Sequence, residues 1–309
     1  MSFENIIGNN KVKILLSNSI QANNVLHSYL FVGSDGIGKF LFAKEFANMI
    51  LCNSEDPLAK PCKHCTSCIQ FSSDNHPDFM VIDLEDGKNI KIEQIRYLQE
   101  KIAEKPIVSS KKVYIINNSD FMTKEAQNCL LKTLEEPPEY AIIILVLSNE
   151  NKLLNTIISR CTKIFFQALS NSEILEYFSN NNINNTFNSN ILKLCSGSIG
   201  KAIELQSSAI HYDNIDSIIS SLDKNNIIDL WGQSDILYQS KDNISNLLEY
   251  MNIIFMDKLI DNYNIRYINC VKIIEQTKKR LSSNANYDMC IDNLLLKMWE
   301  EFNEEYSWS

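Results

Sequence analysis

The chain reads Gly33-Ser34-Asp35-Gly36-Ile37-Gly38-Lys39-Phe40 at the point that decides its fold. This stretch matches the glycine-rich phosphate-binding loop (P-loop), and a predicted strand over 28–32 and a predicted helix over 39–51 give it the required context. The last position is normally Ser or Thr, whose hydroxyl binds the Mg²⁺ between the β- and γ-phosphates. Here it is Phe40. We therefore predict a P-loop fold without this metal ligand; the alternative is an ordinary turn between a strand and a helix.

A second loss is found at the end of another predicted strand, over 112–117. In a working P-loop ATPase this strand ends in an Asp that binds magnesium and a Glu that orients the attacking water. The present strand ends in Asn117-Asn118. Amides carry no charge, so they neither hold the metal well nor act as a base at neutral pH. Both losses predict an ATPase fold without catalysis of its own.

Predicted strands and helices alternate as far as Gln167, which favours a parallel sheet flanked by helices. The predicted strands are 28–32, 78–83, 112–117, 141–147 and 163–166, and the helices are 5–22, 39–51, 91–103, 123–135 and 152–159. Beyond Gln167 the pattern is helical, with an Asn-rich loop over 180–190. Two apolar stripes follow: Ile244, Leu247, Leu248, Met251, Ile254 and Phe255, then Tyr287, Ile291, Leu294, Leu295 and Met298. Such stripes indicate a bundle core or an assembly surface, and periodicity does not choose between them.

Composition limits the function classes. The chain has 309 residues and 45% hydrophobic content, which is enough for two or three packed domains. Its formal net charge of −9 gives no sign of a protein that grips nucleic acid by itself. We see neither a signal peptide nor a membrane span, and we expect a cytoplasmic protein. Its nine cysteines are then expected as metal ligands or core residues.

Four cysteines lie close together between the P-loop helix and the next strand: Cys52, Cys62, Cys65 and Cys68. Four thiolates, with C-x₂-C spacing among them, predict a structural zinc site in an insertion over 52–68. The alternatives are an iron–sulfur cluster and substitution of one ligand by His64 or His76. The five other cysteines are scattered and are expected to pack in cores: Cys129, Cys161, Cys195, Cys270 and Cys290.

The order of motifs resembles the delta-prime family of bacterial DNA polymerase III clamp-loader subunits, members of the AAA+ class. The likeness covers residues 1 to about 205. It rests on the segment 27–31 before the weakened P-loop, the four cysteines, His76-Pro77-Asp78, Leu130-Leu131-Lys132-Thr133-Leu134-Glu135-Glu136-Pro137-Pro138 and Ile158-Ser159-Arg160-Cys161. It implies an AAA+ P-loop domain over 1–167 with the zinc-binding insertion, a small helical lid over 168–208 and an all-α collar domain over 209–309.

The resemblance also implies a function. In this family, delta-prime joins ATP-hydrolysing gamma or tau subunits and a delta subunit, and the complex places the sliding clamp on primed DNA. The arginine of the Ser-Arg-Cys motif, here Arg160, reaches ATP on a neighbouring subunit. Gly33, Gly36, Gly38 and Lys39 are expected to hold ATP or ADP weakly, without hydrolysis. A second arginine of active subunits aligns near Gly200, where this chain has none, although Lys201 is next to it.

Two other functions are open at the level of sequence. An active AAA+ ATPase of DNA replication or repair is supported by the intact Gly33, Gly38 and Lys39, but Phe40 and the Asn pair argue against it. A free-standing zinc-dependent DNA-binding protein would need a basic surface around the cysteines. That insertion and its surroundings instead hold few lysines against several carboxylates: Lys60 and Lys63, with Glu55, Asp56 and Asp74.

Overall fold

The chain forms two compact units, which the computed structural model describes separately. The described residues are 3, 5–85, 87–183, 187–206, 209–223 and 227–303. The first unit comprises residues 1–181 and 197–200, and the second comprises 182–196 and 201–309. The predicted lid therefore has residues in both units. The division into domains over 1–167, 168–208 and 209–309 stays a prediction.

In the described part of the first unit, five strands form one parallel sheet. They are β1 (Ser28–Val32), β2 (Phe79–Ile82), β3 (Lys112–Ile116), β4 (Ala141–Leu147) and β5 (Thr162–Phe165). Their order is β2-β3-β4-β1-β5, so β1 lies between β4 and β5. All residues of β4 are apolar and buried, as is typical of a strand with helices on both faces. The predicted parallel α/β fold is confirmed.

Helices cover both faces of this sheet. The helices of the first unit are α1 (Asn10–Gln21), α2 (Lys39–Leu51), α3 (Thr66–Ser72), α4 (Ile92–Ala103), α5 (Lys124–Glu135), α6 (Asn155–Ile158) and α7 (Asn171–Asn180). On one face, Leu16 and Phe46 of α1 and α2 are buried in a cluster with strand residues. On the other face, Leu98 and Leu130 of α4 and α5 belong to a second cluster. Loops at the strand ends are thus built on a packed scaffold.

The first helix begins later than predicted. We predict a helix over 5–22, but α1 begins only at Asn10. Gly8 and Asn9 have φ values of +74° and +50°, and such left-handed backbone does not continue an α-helix. In addition, a Cβ atom at Gly8 would lie 2.1 Å from Cδ2 of Leu169. Glycine is therefore needed here both for conformation and for close packing.

The second unit consists of helices in its described residues. They are α8 (Ser189–Cys195), α9 (Ile199–Gln206, which begins in the first unit), α10 (Ala209–Ser221), α11 (Ile227–Gln233), α12 (Asp235–Gln239), α13 (Ile244–Asn262), α14 (Ile265–Ser282) and α15 (Tyr287–Asn303). Helices α13, α14 and α15 pack in succession. The buried members of the predicted apolar stripes are Leu247, Leu248, Met251, Ile254, Phe255, Ile291, Leu294, Leu295 and Met298. Residues 184–186 of the predicted Asn-rich loop lie outside the described residues.

Candidate functional site: a P-loop, a partly exposed arginine and a cysteine cluster

The P-loop connects the end of β1 to the start of α2. Its lysine, Lys39, is buried, and Nζ donates hydrogen bonds to the carbonyl oxygens of Gly33 and Ser34 at 2.7 and 2.6 Å. Burial lowers the pKa of Lys39, whereas Asp35 and Asp120 act in the opposite direction. Lys39 thus closes the loop through the loop's own carbonyl groups, directly before the N-terminal turn of α2.

The segment 197–200 packs directly on this loop. The backbone N–H of Gly200 donates to the carbonyl oxygen of Gly36 at 3.0 Å. Gly36 has φ +71°, and a Cβ atom there would lie 2.2 Å from Oγ of Ser198. A Cβ atom at Gly200 would lie 3.0 Å from Cα of Gly36. Both glycines therefore permit a close backbone approach, and a longer side chain at position 200 would crowd the loop.

The side chains at the positions expected to bind magnesium make contacts within the protein instead. Phe40 is partly buried and packs against the apolar cluster that includes α1 and α2. Nδ2 of Asn117 donates to Oδ2 of Asp83 at 2.8 Å, and Nδ2 of Asn118 donates to Oδ1 at 2.7 Å. The two amides thus bind the carboxylate that follows β2. A side chain engaged in this way offers its amide nitrogen to a carboxylate and no charge to a metal.

Asp120 is a buried carboxylate near the P-loop that no sequence motif predicts. Its Oδ2 accepts a hydrogen bond from Oγ of Ser148 at 3.1 Å and lies 3.8 Å from Nζ of Lys152. Its Oδ1 is buried and has no hydrogen-bond partner within the described residues. The available signal is a charged residue that closely follows an apolar strand. Its partners come from the loop after β4, which sequence spacing does not reveal.

Arg160 lies beside the first residue of β1, whereas the P-loop follows the last residue of this strand. Its carbonyl oxygen accepts a hydrogen bond from Oγ of Ser28, the first residue of β1, at 2.7 Å. Its backbone N–H donates to the carbonyl oxygen of Ile157 at 3.0 Å. We predict a helix over 152–159 before this arginine, but α6 spans only Asn155–Ile158, after a 3₁₀ turn at Glu150–Lys152. Arg160 therefore occupies the short loop between α6 and β5.

The guanidinium of Arg160 is partly exposed and has two partners in its own chain. Nη1 donates to the carbonyl oxygen of Thr156 at 2.9 Å. Nη2 lies 2.7 Å from Oε1 of Glu135, and the two side chains are 35% and 47% exposed. Sequence spacing alone assigns Glu135 no partner. The ion pair joins α5 to the loop after α6, and only the fold brings these residues together.

The four cysteines of the insertion do come together. The Sγ atoms of Cys52, Cys62, Cys65 and Cys68 all lie within 4.8 Å of one another. Zinc with Zn–S bonds of about 2.3 Å requires tetrahedral S–S edges of roughly 3.8 Å, so a small contraction closes the site. Several backbone N–H groups point at the sulfurs, including those of Cys62 and Cys65, which donate to Cys52 and Cys62. This donor set fits a tetrahedral thiophilic metal that cross-links the insertion.

The thiols of this cluster differ in their surroundings. The backbone N–H of His64 lowers the pKa of Cys62 to about 6. Burial raises the pKa of Cys52 and of Cys68. Because a metal binds thiolates, binding to this set must release protons and weaken as the pH falls. Among the described residues, none of the cysteines forms a disulfide.

His76 is a structural link rather than a substitute ligand. Its Nδ1 accepts the backbone N–H of Asp78 at 3.0 Å, so Nε2 carries the proton and donates to Oγ of Ser67 at 2.9 Å. Oγ of Ser67 and Oγ of Ser109 each donate to the carbonyl oxygen of Leu51 at 2.7 Å. Burial lowers the pKa of His76, which agrees with a neutral ring. The network ties the cysteine insertion to the sheet.

Asp78 explains the end of the His-Pro-Asp motif. It is buried, and its carboxylate accepts the backbone N–H groups of Ile107, Val108 and Ser109, each at 2.8 Å. The motif thus holds the loop before β3 in place.

None of the helices in the described ranges has both the length and the apolar character of a membrane-spanning segment.

Residues 8–170 match the family model described as DNA polymerase III, delta subunit. The DNA polymerase III subunit delta' of Bacillus subtilis (strain 168) is 42% identical over 159 residues, which are 52% of this chain and 47% of that protein. The tau/gamma subunit of Haemophilus influenzae is 34% identical over 176 residues, 57% of this chain and 25% of that protein. A gamma subunit-related protein of Thermotoga maritima covers 93% of this chain and 99% of its own, with 17% identity and a TM-score of 0.48. The chain spans about half the length of the delta' relative and a quarter of the tau/gamma relative.

Proposed function

The chain belongs to the DNA polymerase III delta subunit family, and we propose that it is a non-hydrolysing subunit of a clamp-loader complex. In this proposal it assembles with gamma or tau ATPase subunits and a delta subunit in the cytoplasm. The complex acts on a sliding clamp and primed DNA. Arg160 acts in trans, on ATP held by a neighbouring subunit, and any ATP or ADP in the chain's own P-loop is bound weakly and not hydrolysed.

The position of Arg160 relative to the P-loop carries the proposal. Arg160 is bonded to Ser28 at the start of β1, and the P-loop begins at Gly33, just after the strand ends at Val32. A parallel strand rises about 3.3 Å per residue, so the ends of β1 are roughly 13 Å apart. Arg160 therefore lies at the end of β1 that is far from the chain's own P-loop. A partly exposed guanidinium there can bind the phosphates of a neighbouring subunit's ATP.

The chain's own site supports the same division of roles. Phe40 packs against the apolar cluster and offers no hydroxyl to magnesium, and Asn117 and Asn118 bind Asp83. Without the hydroxyl and the acidic pair that hold magnesium and orient the attacking water, hydrolysis loses the metal's charge stabilisation and the positioned water. The P-loop remains as part of the fold.

We also infer that the cysteine cluster holds one zinc ion, bound by Cys52, Cys62, Cys65 and Cys68. Four thiolates complete the coordination and leave no open position for catalysis. The ion would fix the insertion as a cross-link, while His76 and its hydroxyl partners join that insertion to the sheet. A zinc role in catalysis or in direct DNA binding is not part of the proposal.

The test is hydrolysis by the partner subunits in a reconstituted complex. With Arg160→Ala, one of several ATP sites should lose about 10³- to 10⁵-fold in rate, the range known for arginine fingers supplied in trans, and clamp loading should fall. The control is Lys163→Ala, which removes a nearby exposed cation paired with Glu150. Both variants must first assemble normally, checked by size-exclusion chromatography. Unchanged hydrolysis and loading in an intact Arg160→Ala complex would show that the trans role is wrong.

A further inference from the structure

The carboxylate of Glu135 lies at the C-terminus of a helix, where a negative charge is unfavourable. Glu135 is the last residue of α5, and Glu136 follows it directly. A helix C-terminus carries partial negative charge, so cations are preferred there and carboxylates are not. The following residues, Pro137-Pro138, end the helix at this point. A residue that breaks a local preference in this way indicates a role other than helix stability.

The compensating cation for Glu135 is Arg160. Nη2 of Arg160 lies 2.7 Å from Oε1 of Glu135, and Nη1 donates to Thr156 at 2.9 Å. The pair is part-exposed, so its contribution to the stability of the fold is small. Its effect on geometry is larger, because two fixed contacts set both the direction of the side chain and the plane of the guanidinium.

The guanidinium still has donors to offer. It carries five N–H groups, and the contacts with Glu135 and Thr156 use one each. The backbone of Arg160 is fixed as well, because Ser28 binds its carbonyl oxygen and Ile157 binds its N–H. Arg160 is therefore oriented before any phosphate arrives, with N–H groups left for an anion at the exposed side.

We propose that Glu135 is a positioning residue for Arg160, which holds the guanidinium ready for phosphate oxygens of a nucleotide on a neighbouring subunit. This rests on the proposed trans role of Arg160. Without Glu135 the side chain must be ordered during the reaction, so the loss falls on the rate of hydrolysis and not on ATP binding.

The experiment uses single-turnover ATP hydrolysis by the reconstituted complex with Glu135→Gln. We expect the rate at one site to fall about threefold to tenfold, the cost of ordering one flexible side chain in the transition state, with unchanged ATP affinity. The control is Glu136→Gln, which removes the same charge from the adjacent exposed residue and should leave the rate unchanged. In an Arg160→Ala complex, Glu135→Gln should have no further effect, because it acts only through Arg160.

The Arg160→Ala and Glu135→Gln variants test the trans role of Arg160 and the positioning role of Glu135 separately. If Arg160→Ala slows hydrolysis but Glu135→Gln does not, Glu135 is not a positioning residue while the trans role stands. If Glu135→Gln speeds hydrolysis, the carboxylate restrains Arg160 instead of presenting it, and the proposal is overturned. The same holds if Glu135→Gln still slows hydrolysis in the Arg160→Ala complex. If Arg160→Ala itself has no effect on hydrolysis, the trans role of Arg160 is wrong, and the positioning role of Glu135 is wrong with it.

Discussion

Replacing Asp78 by asparagine should weaken the first unit strongly, although the change removes only one charge and almost no volume. The carboxylate is buried and accepts three backbone N–H groups: Oδ1 binds that of Ile107, and Oδ2 binds those of Val108 and Ser109. Asparagine has one acceptor oxygen and one NH₂ group. It can keep the bond to Ile107, but its NH₂ group then faces two other donors.

The magnitude follows from these two orphaned donors. A buried polar group that loses its partner costs about 1–3 kcal/mol, so the buried N–H of Ser109 sets a loss of at least about 1 kcal/mol, and the part-buried N–H of Val108 raises the upper limit to about 6 kcal/mol. The matched control is Asp74→Asn, which removes the same charge from an exposed ion pair with Lys44. That pair is worth about 0–1 kcal/mol.

Amide hydrogen exchange measures the effect where it occurs. Strand β3 follows the loop held by Asp78. In Asp78→Asn, the free energy of exchange protection in β3 should fall by the cost of the orphaned N–H groups, and in Asp74→Asn it should hardly change. Tryptophan fluorescence provides an internal reference, because Trp231 and Trp299 are in the second unit and should report an unchanged transition. A loss of protection below about 1 kcal/mol would refute the reasoning, because even one orphaned donor should cost that much.

Three further outcomes are expected. The isolated chain should show no magnesium-dependent ATP hydrolysis above background; steady turnover that disappears with Lys39→Ala would contradict the proposed function. Protein purified without chelators should contain one zinc ion per chain by elemental analysis, and Cys65→Ser should lower both the zinc content and the thermal stability of the insertion; iron, or no metal, would rule zinc out. Burial raises the pKa of Asp216 in α10, so folding favours its protonated form, and the stability that this form gives at low pH is lost as the pH rises through the raised pKa. Asp216→Asn should therefore stabilise the second unit at neutral pH and lose its advantage below about pH 4, the usual range of Asp; denaturation followed by tryptophan fluorescence at several pH values would show a constant difference if this is wrong.

Patterns that are local in sequence predict their structures well in this chain. The strand before the P-loop and the helix after it have the predicted bounds, because the apolar run and the glycine motif lie side by side. The four cysteines meet as expected, since their spacing already restricts where the sulfurs can lie. The early start predicted for α1 is wrong because apolar periodicity ignores backbone conformation at Gly8 and Asn9.

Contacts between distant elements could not be predicted in the same way. The Asn pair after β3 is visible as a missing metal site, but its partner Asp83 becomes known only when β2 and β3 are neighbours. Glu135 and Arg160 are on α5 and on the loop after α6, and no spacing rule joins them. Register and strand order, which decide these pairs, depend on packing over the whole sheet.

Strand β1 ends at the P-loop and begins beside Arg160. Insertion or deletion of one residue in β1 would move one end by about 3.3 Å relative to the other and would turn its side chains to the opposite faces of the sheet. The length of this buried strand therefore fixes the distance between Arg160 and the P-loop. In the proposed complex, this strand would set the distance between the chain's own P-loop and the neighbour's ATP that Arg160 would contact.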